Sequence, residues 1–361
     1  MNLHEKIMSD VLDLAKKGKG NVSPNPLVGC VITKNGKVIS QGFHEKFGEA
    51  HAERKAILAA DKSELDGAEL YVNLEPCCHH GKTPPCTDLI IESKIKKVFV
   101  GMQDPNPLVA GKGITQLISA GIEVETGILE KEAKFLNRAF IKNITKQEPY
   151  VILKMGISLD GFIATSTGES QWITCQESRK QVHKLRAEVD AVLVGKNTAV
   201  LDKPQLNVRH IDGRDPKKVI IDSHLKVLDK SEEEKSYLKD AIIYCIDDSK
   251  ALENHFIDEN NIKIKKLNEV QNRPSLNELL KDIYSNEKIG MLLVEGGAEL
   301  ASSFIEQDLA DEILIYIAPM ILGNGKNVFA GFDAKQLANA KKFEVINHQK
   351  IGDDVLIQMV K

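Results

Sequence analysis

Two short segments hold the residues best suited to chemistry: His51-Ala52-Glu53, and the run Pro76-Cys77-Cys78-His79-His80-Gly81-Lys82-Thr83-Pro84-Pro85-Cys86. An imidazole and two thiolates bind Zn2+ in a tetrahedron and leave its fourth corner for water. The metal lowers the pKa of that water towards neutrality, so hydroxide is available to attack an amidine carbon. A carboxylate that is not itself a ligand, here Glu53, can take the water proton and pass it to a departing amine.

The zinc-deaminase signature pairs H-x-E with P-C-x-x-C. In this chain eight residues separate the outer cysteines, Cys77 and Cys86. Cys78 is a poor partner for Cys77 because adjacent side chains diverge, whereas a loop through Gly81, Pro84 and Pro85 can bring Cys86 back to the metal. The alternative is a structural zinc knot in which His79 or His80 completes four protein ligands. H-x-E upstream of P-C is a joint constraint, and it favours the catalytic reading.

These residues need a scaffold, and the chain is long enough for more than one. At 361 residues, two domains are expected, each able to bury its own core. Lys and Arg total 48 against 52 Asp and Glu, for a net charge of −4. That balance argues against a general nucleic-acid binder, though not against a small anionic substrate held by local cations. Six cysteines, three of them in one loop, and no secretory leader after Met1 point to the reducing cytoplasm. No apolar run reaches the length of a membrane span.

The residues before the first motif predict a helix over 2–17, a strand from Leu27 to Thr33, an Asn35-Gly36 hairpin turn and a strand from Val38 to Gln41. His51 and Glu53 are placed at the entry of a helix over 54–60, where both can face one point. Strand Leu70–Val72 ends at the Cys77 loop. Cys86 opens a helix to Ser93, whose dipole favours its thiolate. Strand 98–101, helix 113–120, strand 122–125 and helix 130–142 follow, an alternation that indicates helix–sheet–helix layers. The polar joint Thr145–Pro149 is the expected boundary. Beyond it, strands at 150–156, 191–194, 219–222, 241–245, 291–294, 312–318 and 355–360, with helices at 176–188 and 275–284, again predict α/β structure.

Motifs in the second half are weaker. Glu295-Gly296-Gly297 follows a buried strand and opens a helix, which suits either phosphate binding or a plain tight turn. No G-x-G-x-x-G is present, and Gly81-Lys82-Thr83 fails as a P-loop because Pro76 stands where that motif needs Gly. Trp172, the only Trp, is expected as a core anchor. Arg186 and Arg209 read as solvated surface cations. No clamp for a 2′-phosphate is evident.

Taken together and in order, SPNPLVGCVI, HAE, LEPCCHHGKTPPC, QDPNPLVAGKG, LNRAF, ISLDGFIA, GESQWIT, VEGGAEL and IYIAPMILG carry a close resemblance. Across essentially its whole length the chain resembles the bifunctional riboflavin-biosynthesis deaminase/reductase family, which also uses the eight-residue gap between cysteines. The resemblance implies a cytidine-deaminase-like α/β/α layer domain over 1–146, and a dihydrofolate-reductase-like α/β domain over 147–361. The first would hydrolyse the 2-amino group of 2,5-diamino-6-(5-phosphoribosylamino)pyrimidin-4(3H)-one. The second would use NADPH to reduce the ribosyl arm, giving 5-amino-6-(5-phosphoribitylamino)uracil.

By the same resemblance His51, Cys77 and Cys86 hold one zinc per chain, and Glu53 is the proton shuttle. Asn25, His44 and Lys82 contact substrate in the first half, as do Ser170, Arg186, Leu206, Arg209 and Glu295 in the second. Gly156, Trp172, Thr198, Asp202, Ser223 and the turn Gly297, Ala298, Glu299, Leu300, Ala301, Ser302 and Ser303 fall at NADPH, with Asp202 the candidate proton donor. This reading revises Trp172 and both arginines towards function. It implies a cytoplasmic homo-oligomer, dimer or tetramer, acting on a small molecule, with no nucleic-acid or membrane partner. A deaminase of another base fused to an unrelated domain, or a non-catalytic zinc module, would not account for the second-half pattern or for Glu53.

Overall fold

The computed structural model describes residues 1–79, 84–107, 109–251 and 255–361. The chain divides into two compact units, Met1–Gln147 and Glu148–Lys361.

The first unit is built on a five-stranded sheet in the order Lys37–Phe43, Gly29–Lys34, Glu69–Leu74, Lys97–Met102, Glu123–Thr126. The first two strands form a hairpin whose turn residues, Asn35 and Gly36, are both left-handed, the requirement of a type I′ turn. The third strand runs antiparallel to Gly29–Lys34, and the last three are parallel to one another.

Alternation along these strands feeds two cores. Val31, Tyr71 and Phe99 face Ile7, Met8, Val11 and Leu14 of helix Leu3–Lys16. Cys30, Ile32, Val72 and Val100 face the opposite side with Ala52, Ala56 and Ile57 of helix Ala52–Ala59. Helices therefore cover both faces, giving the three layers expected. The predicted helix over 130–142 is instead two, Glu130–Leu136 and Arg138–Lys146. The break lies at Asn137, whose side chain accepts the Leu27 N–H at 2.8 Å and donates to the Leu27 carbonyl at 3.0 Å. A tertiary tie overrides helix propensity there.

The second unit holds a nine-stranded sheet in the order Lys263–Lys266, Ala241–Cys245, Lys217–Ile221, Ala191–Gly195, Met291–Val294, Tyr150–Ser158, Glu312–Ala318, Asp354–Val360, Glu344–Ile351. The first seven are parallel and the last two antiparallel. The central strands are apolar on both faces because helices Gln176–Glu188, Leu276–Ser285 and Ala298–Glu306 pack around them. The outermost strand, Glu344–Ile351, is exposed along nearly its whole length. In an open parallel sheet, ligands bind beyond the carboxyl ends of the strands.

Candidate active sites

The first site gathers at the ends of helices. His51 is the extended N-cap residue of helix Ala52–Ala59, and Glu53 lies in the first turn, 3% exposed. The helix can lie so close to the hairpin because residue 42 is Gly. A Cβ there would stand 2.7 Å from both the Ala52 carbonyl oxygen and the Ala56 nitrogen. Cys86 is the first residue of helix Cys86–Glu92, and Cys77 follows strand Glu69–Leu74. Thr87 fixes Cys77 by donating to its carbonyl from both N–H, at 3.2 Å, and Oγ1, at 3.3 Å.

The His51 Nδ1 atom is 3.5 Å from Cys77 Sγ and 3.4 Å from Cys86 Sγ. Two ligands at zinc bond lengths of about 2.0 and 2.3 Å in a tetrahedron sit about 3.5 Å apart, so the three donors fit one ion. Among the described residues His51, Cys77 and Cys86 form the one such cluster of His, Cys and acidic groups. Burial pushes the Glu53 carboxyl up to about 7. The Cys86 N–H donates to Cys77 Sγ at 3.4 Å, and the Cys77 thiol is drawn down beside Cys86 and His51 while Cys86 is pushed up.

His44 meets the His51 ring edge-on at 5.7 Å and is buried. Its Nδ1–H donates to the Ala50 carbonyl at 3.2 Å, which leaves Nε2 to accept from Asn25 Nδ2 at 3.0 Å. Burial lowers the imidazole pKa, favouring this neutral form. Thus Asn25 and His44 sit beside the metal ligands, while Lys82 lies outside the described residues.

Glu75, two residues before Cys77, did not stand out in the sequence. It is buried, and its carboxylate accepts the N–H groups of Asp104 at 3.1 Å, Gly111 at 3.0 Å, Gly113 at 2.9 Å and Ile114 at 3.2 Å. Asp104 and residues 111–114 are thereby fastened to the segment that leads into Cys77. A side chain at Gly113 would collide with the Pro76 carbonyl, its Cβ falling 2.2 Å from the oxygen. The LEPC motif contained this acid, but nothing local marks it as an acceptor of distant amides.

The second site is a cleft of about 1700 Å³ along the carboxyl ends of the parallel strands. Gly156, Ser170, Trp172, Arg186, Thr198 and Asp202 line it, together with Leu206, Arg209, Ser223, Glu295, Gly297 and residues Ala298 to Ser303, which the structure places in the first turns of helix Ala298–Glu306 and not in a turn. Every site residue expected in the second half therefore borders one cavity, wide enough for a dinucleotide beside a substrate. At its floor Arg186 grips Glu295 two-pronged, with Nε to Oε1 at 2.7 Å and one Nη to Oε2 at 3.0 Å. Lys154, absent from the sequence-based set, approaches the same carboxylate at 3.9 Å. Burial raises the Glu295 pKa, but Arg186 and Lys154 outweigh it and leave the group below the ordinary range.

Loop 203–210 carries Leu206 and Arg209 and holds Lys203, Leu206 and His210 in the left-handed region. Each such non-glycine residue costs about 1–2 kcal/mol. Leu206 is nonetheless buried, and the Arg209 N–H donates to His183 Nδ1 at 3.1 Å, so packing and a hydrogen bond offset part of that cost. Trp172 corrects the expectation of a core anchor. It is 65% exposed, and its ring lies against the Arg179 guanidinium at 4.5 Å on the cleft wall. Asp202 ends helix Lys196–Asp202, where the cleft wall partly desolvates its carboxyl and raises its pKa.

The first site and its sheet define a zinc-dependent deaminase of the cytidine-deaminase class, joined in one chain to an α/β unit with a reductase-type cofactor cleft. Residues 1–102 match the family described as the cytidine and deoxycytidylate deaminase zinc-binding region, and residues 149–357 match the RibD C-terminal domain. The riboflavin biosynthesis protein RibD of Actinobacillus pleuropneumoniae is 41% identical over 98% of this chain and 94% of its own. That of Aquifex aeolicus is 40% identical over 98% of each. Among solved structures, a deaminase/reductase from Thermotoga maritima superposes with a TM-score of 0.88 at 40% identity, covering 99% of this chain and 98% of that one. Acinetobacter baumannii RibD gives 0.87 at 35% over the same shares. The chain belongs to the RibD family: it is a bifunctional deaminase and reductase of riboflavin biosynthesis, with a zinc-binding deaminase domain and an NADPH-type reductase domain. No helix among the described residues is long and apolar enough to cross a membrane.

Proposed function

We propose that residues 1–146 carry out the deamination and residues 147–361 the reduction, on the two substrates named for the Thermotoga maritima protein: diaminohydroxyphosphoribosylaminopyrimidine, then 5-amino-6-(5-phosphoribosylamino)uracil. The observation that carries this reading is the close approach of His51 to Cys77 and Cys86 beside a buried carboxylate.

His51, Cys77 and Cys86 hold the zinc, which when bound supplies a nucleophile at neutral pH by acidifying a water molecule. Glu53 takes the proton of that water and returns it to the 2-amino group, which leaves as ammonia. His44, neutral and locked by Ala50 and Asn25, orients the pyrimidine without adding charge. Lys82, which lies outside the described residues, is the further substrate contact that the resemblance implies.

In the cleft, Gly156, Trp172, Thr198, Ser223, Gly297 and the first turns of helix Ala298–Glu306 would hold NADPH, which when bound supplies the hydride. Ser170, Arg186, Leu206, Arg209 and Glu295 hold the substrate. Arg186 is committed to Glu295, so exposed Arg209 is the cation for the substrate phosphate. The ribosyl C1′ accepts a hydride only as an open-chain imine or aldehyde, and the neighbouring nitrogen or oxygen then needs a proton. Among the carboxyls on the cleft, Glu295 is held ionised by Arg186 and Lys154, and Asp222 is taken up by the N–H groups of Val227 and His224. Burial raises the Asp202 pKa, and we assign the donor role to Asp202.

Arg209→Ala removes a charge-assisted bond of about 1.5–3 kcal/mol and should mainly raise KM, whereas Asp202→Asn should mainly lower kcat. Steady-state kinetics on deaminated substrate decide this. Loss of kcat in Glu295→Gln, with Asp202→Asn altering only NADPH binding, would move the acid role to Glu295.

We also propose a cytoplasmic homo-oligomer. The supports are six free cysteines and the exposed edge strand, where Val345 is 55% exposed and Val355 on the neighbouring strand 42%. Light scattering on the purified protein should give a multiple of the chain mass, and a monomer at micromolar concentration would refute it.

A further inference from the structure

NADPH differs from NADH only by a phosphate on the adenosine 2′-hydroxyl. In dinucleotide-binding α/β folds, NADH sites hold that hydroxyl with an acidic side chain, and NADPH sites place an arginine nearby. This chain has an acid at the end of strand Lys217–Ile221, but it is turned inward. Asp222 is 2% exposed, and its carboxylate accepts the N–H groups of Val227 at 2.8 Å and His224 at 3.4 Å.

Ser223 follows and lines the cleft. Its Oγ donates to the Asn272 carbonyl at 3.4 Å, tying the strand end to the short hairpin of Glu269–Val270 and Arg273–Pro274. Arg273 reaches across to helix Ala298–Glu306, donating to Ser303 Oγ at 3.2 Å and meeting Glu299 at 3.5 Å. That helix begins directly after the Gly296-Gly297 turn. Lys226 lies on the same cleft wall, and its ammonium has no acidic partner among the described residues. Cations and a hydroxyl thus face the cleft, Asp222 is taken up by its own turn, and the exposed acid on the same wall, Glu299, is paired with Arg273.

We propose that Arg273 and Lys226, with Ser223, form the 2′-phosphate site that makes this reductase select NADPH over NADH. The inference rests on the assignment of this cleft to the cofactor. The present partner of Arg273 does not compete strongly. The Arg273 and Glu299 side chains are 54% and 69% exposed, so a phosphate dianion, bound two-pronged, displaces the carboxylate.

Calorimetry on the full-length, zinc-loaded protein tests this with adenosine 2′,5′-bisphosphate against adenosine 5′-monophosphate, and with NADPH against NADH. The wild type should prefer the member with the 2′-phosphate by at least about tenfold in each pair. Arg273→Gln should shrink both preferences to about twofold, with NADH binding unchanged, and Lys226→Gln should reduce them part-way. Arg273 is exposed, so the variant folds. A wild type that discriminates while Arg273→Gln discriminates equally well, or loses both members alike, overturns the inference and leaves the cofactor assignment standing. A wild type that binds no dinucleotide overturns that assignment, and this inference with it.

Discussion

Replacing Cys86 or Cys77 with Ala should strip the zinc from the protein and abolish deamination, while Cys78→Ser should keep both. Each of the first two is one of the three donors that cluster among the described residues, and both sulfurs stand at the distance from His51 Nδ1 that a shared ion imposes. Structural zinc sites bind with about 10–16 kcal/mol, and the loss of a thiolate removes a large part of that. Cys78, although adjacent in sequence, is not in the donor cluster. Elemental analysis after gel filtration gives the metal content of each variant. Retention of zinc by Cys86→Ala with its loss in Cys78→Ser would show that the adjacent cysteine is the ligand.

The second large effect is expected at Glu53. Glu53→Gln keeps the volume of a buried side chain and leaves the three donors untouched, so zinc content should stay at one per chain. Deamination should nevertheless fall by at least about 100-fold, the scale of a positioned acid–base group. Reduction of substrate that is already deaminated should be nearly unchanged, because every residue lining the reductase cleft lies between Lys154 and Gly331. Equal loss of both activities would mean that the two reactions share one site.

How far these sites were legible in the sequence depended on how local their determinants are. His51 and Glu53 could be placed at a helix entry because only there do residues two apart face one point, and His51 is the N-cap. Cys86 could be placed at a helix start because Pro84 and Pro85 precede it. The N–H groups that Glu75 binds come from residues 104–114, and the collision that makes Gly42 necessary comes from a helix that starts ten residues on. Neither leaves a periodic trace in the chain. Trp172 departs from the burial usual for Trp because it lines the wall of an open cleft, which burial propensity does not foresee. The strand Glu344–Ile351 had no alternation to read, being exposed on both faces at a sheet edge.

If one chain carries two separate chemistries in a fixed order, the mass of the product will show it. The zinc-loaded wild type is incubated with the diamino-pyrimidinone substrate, first alone and then with NADPH, and the products are read by mass spectrometry. The first incubation should exchange one amino group for oxygen and stop. The second should then add two hydrogens to that product, with oxidation of NADPH in equal amount. A first incubation that leaves the substrate unchanged, or a second that yields a reduced product still carrying both ring amino groups, would contradict that order.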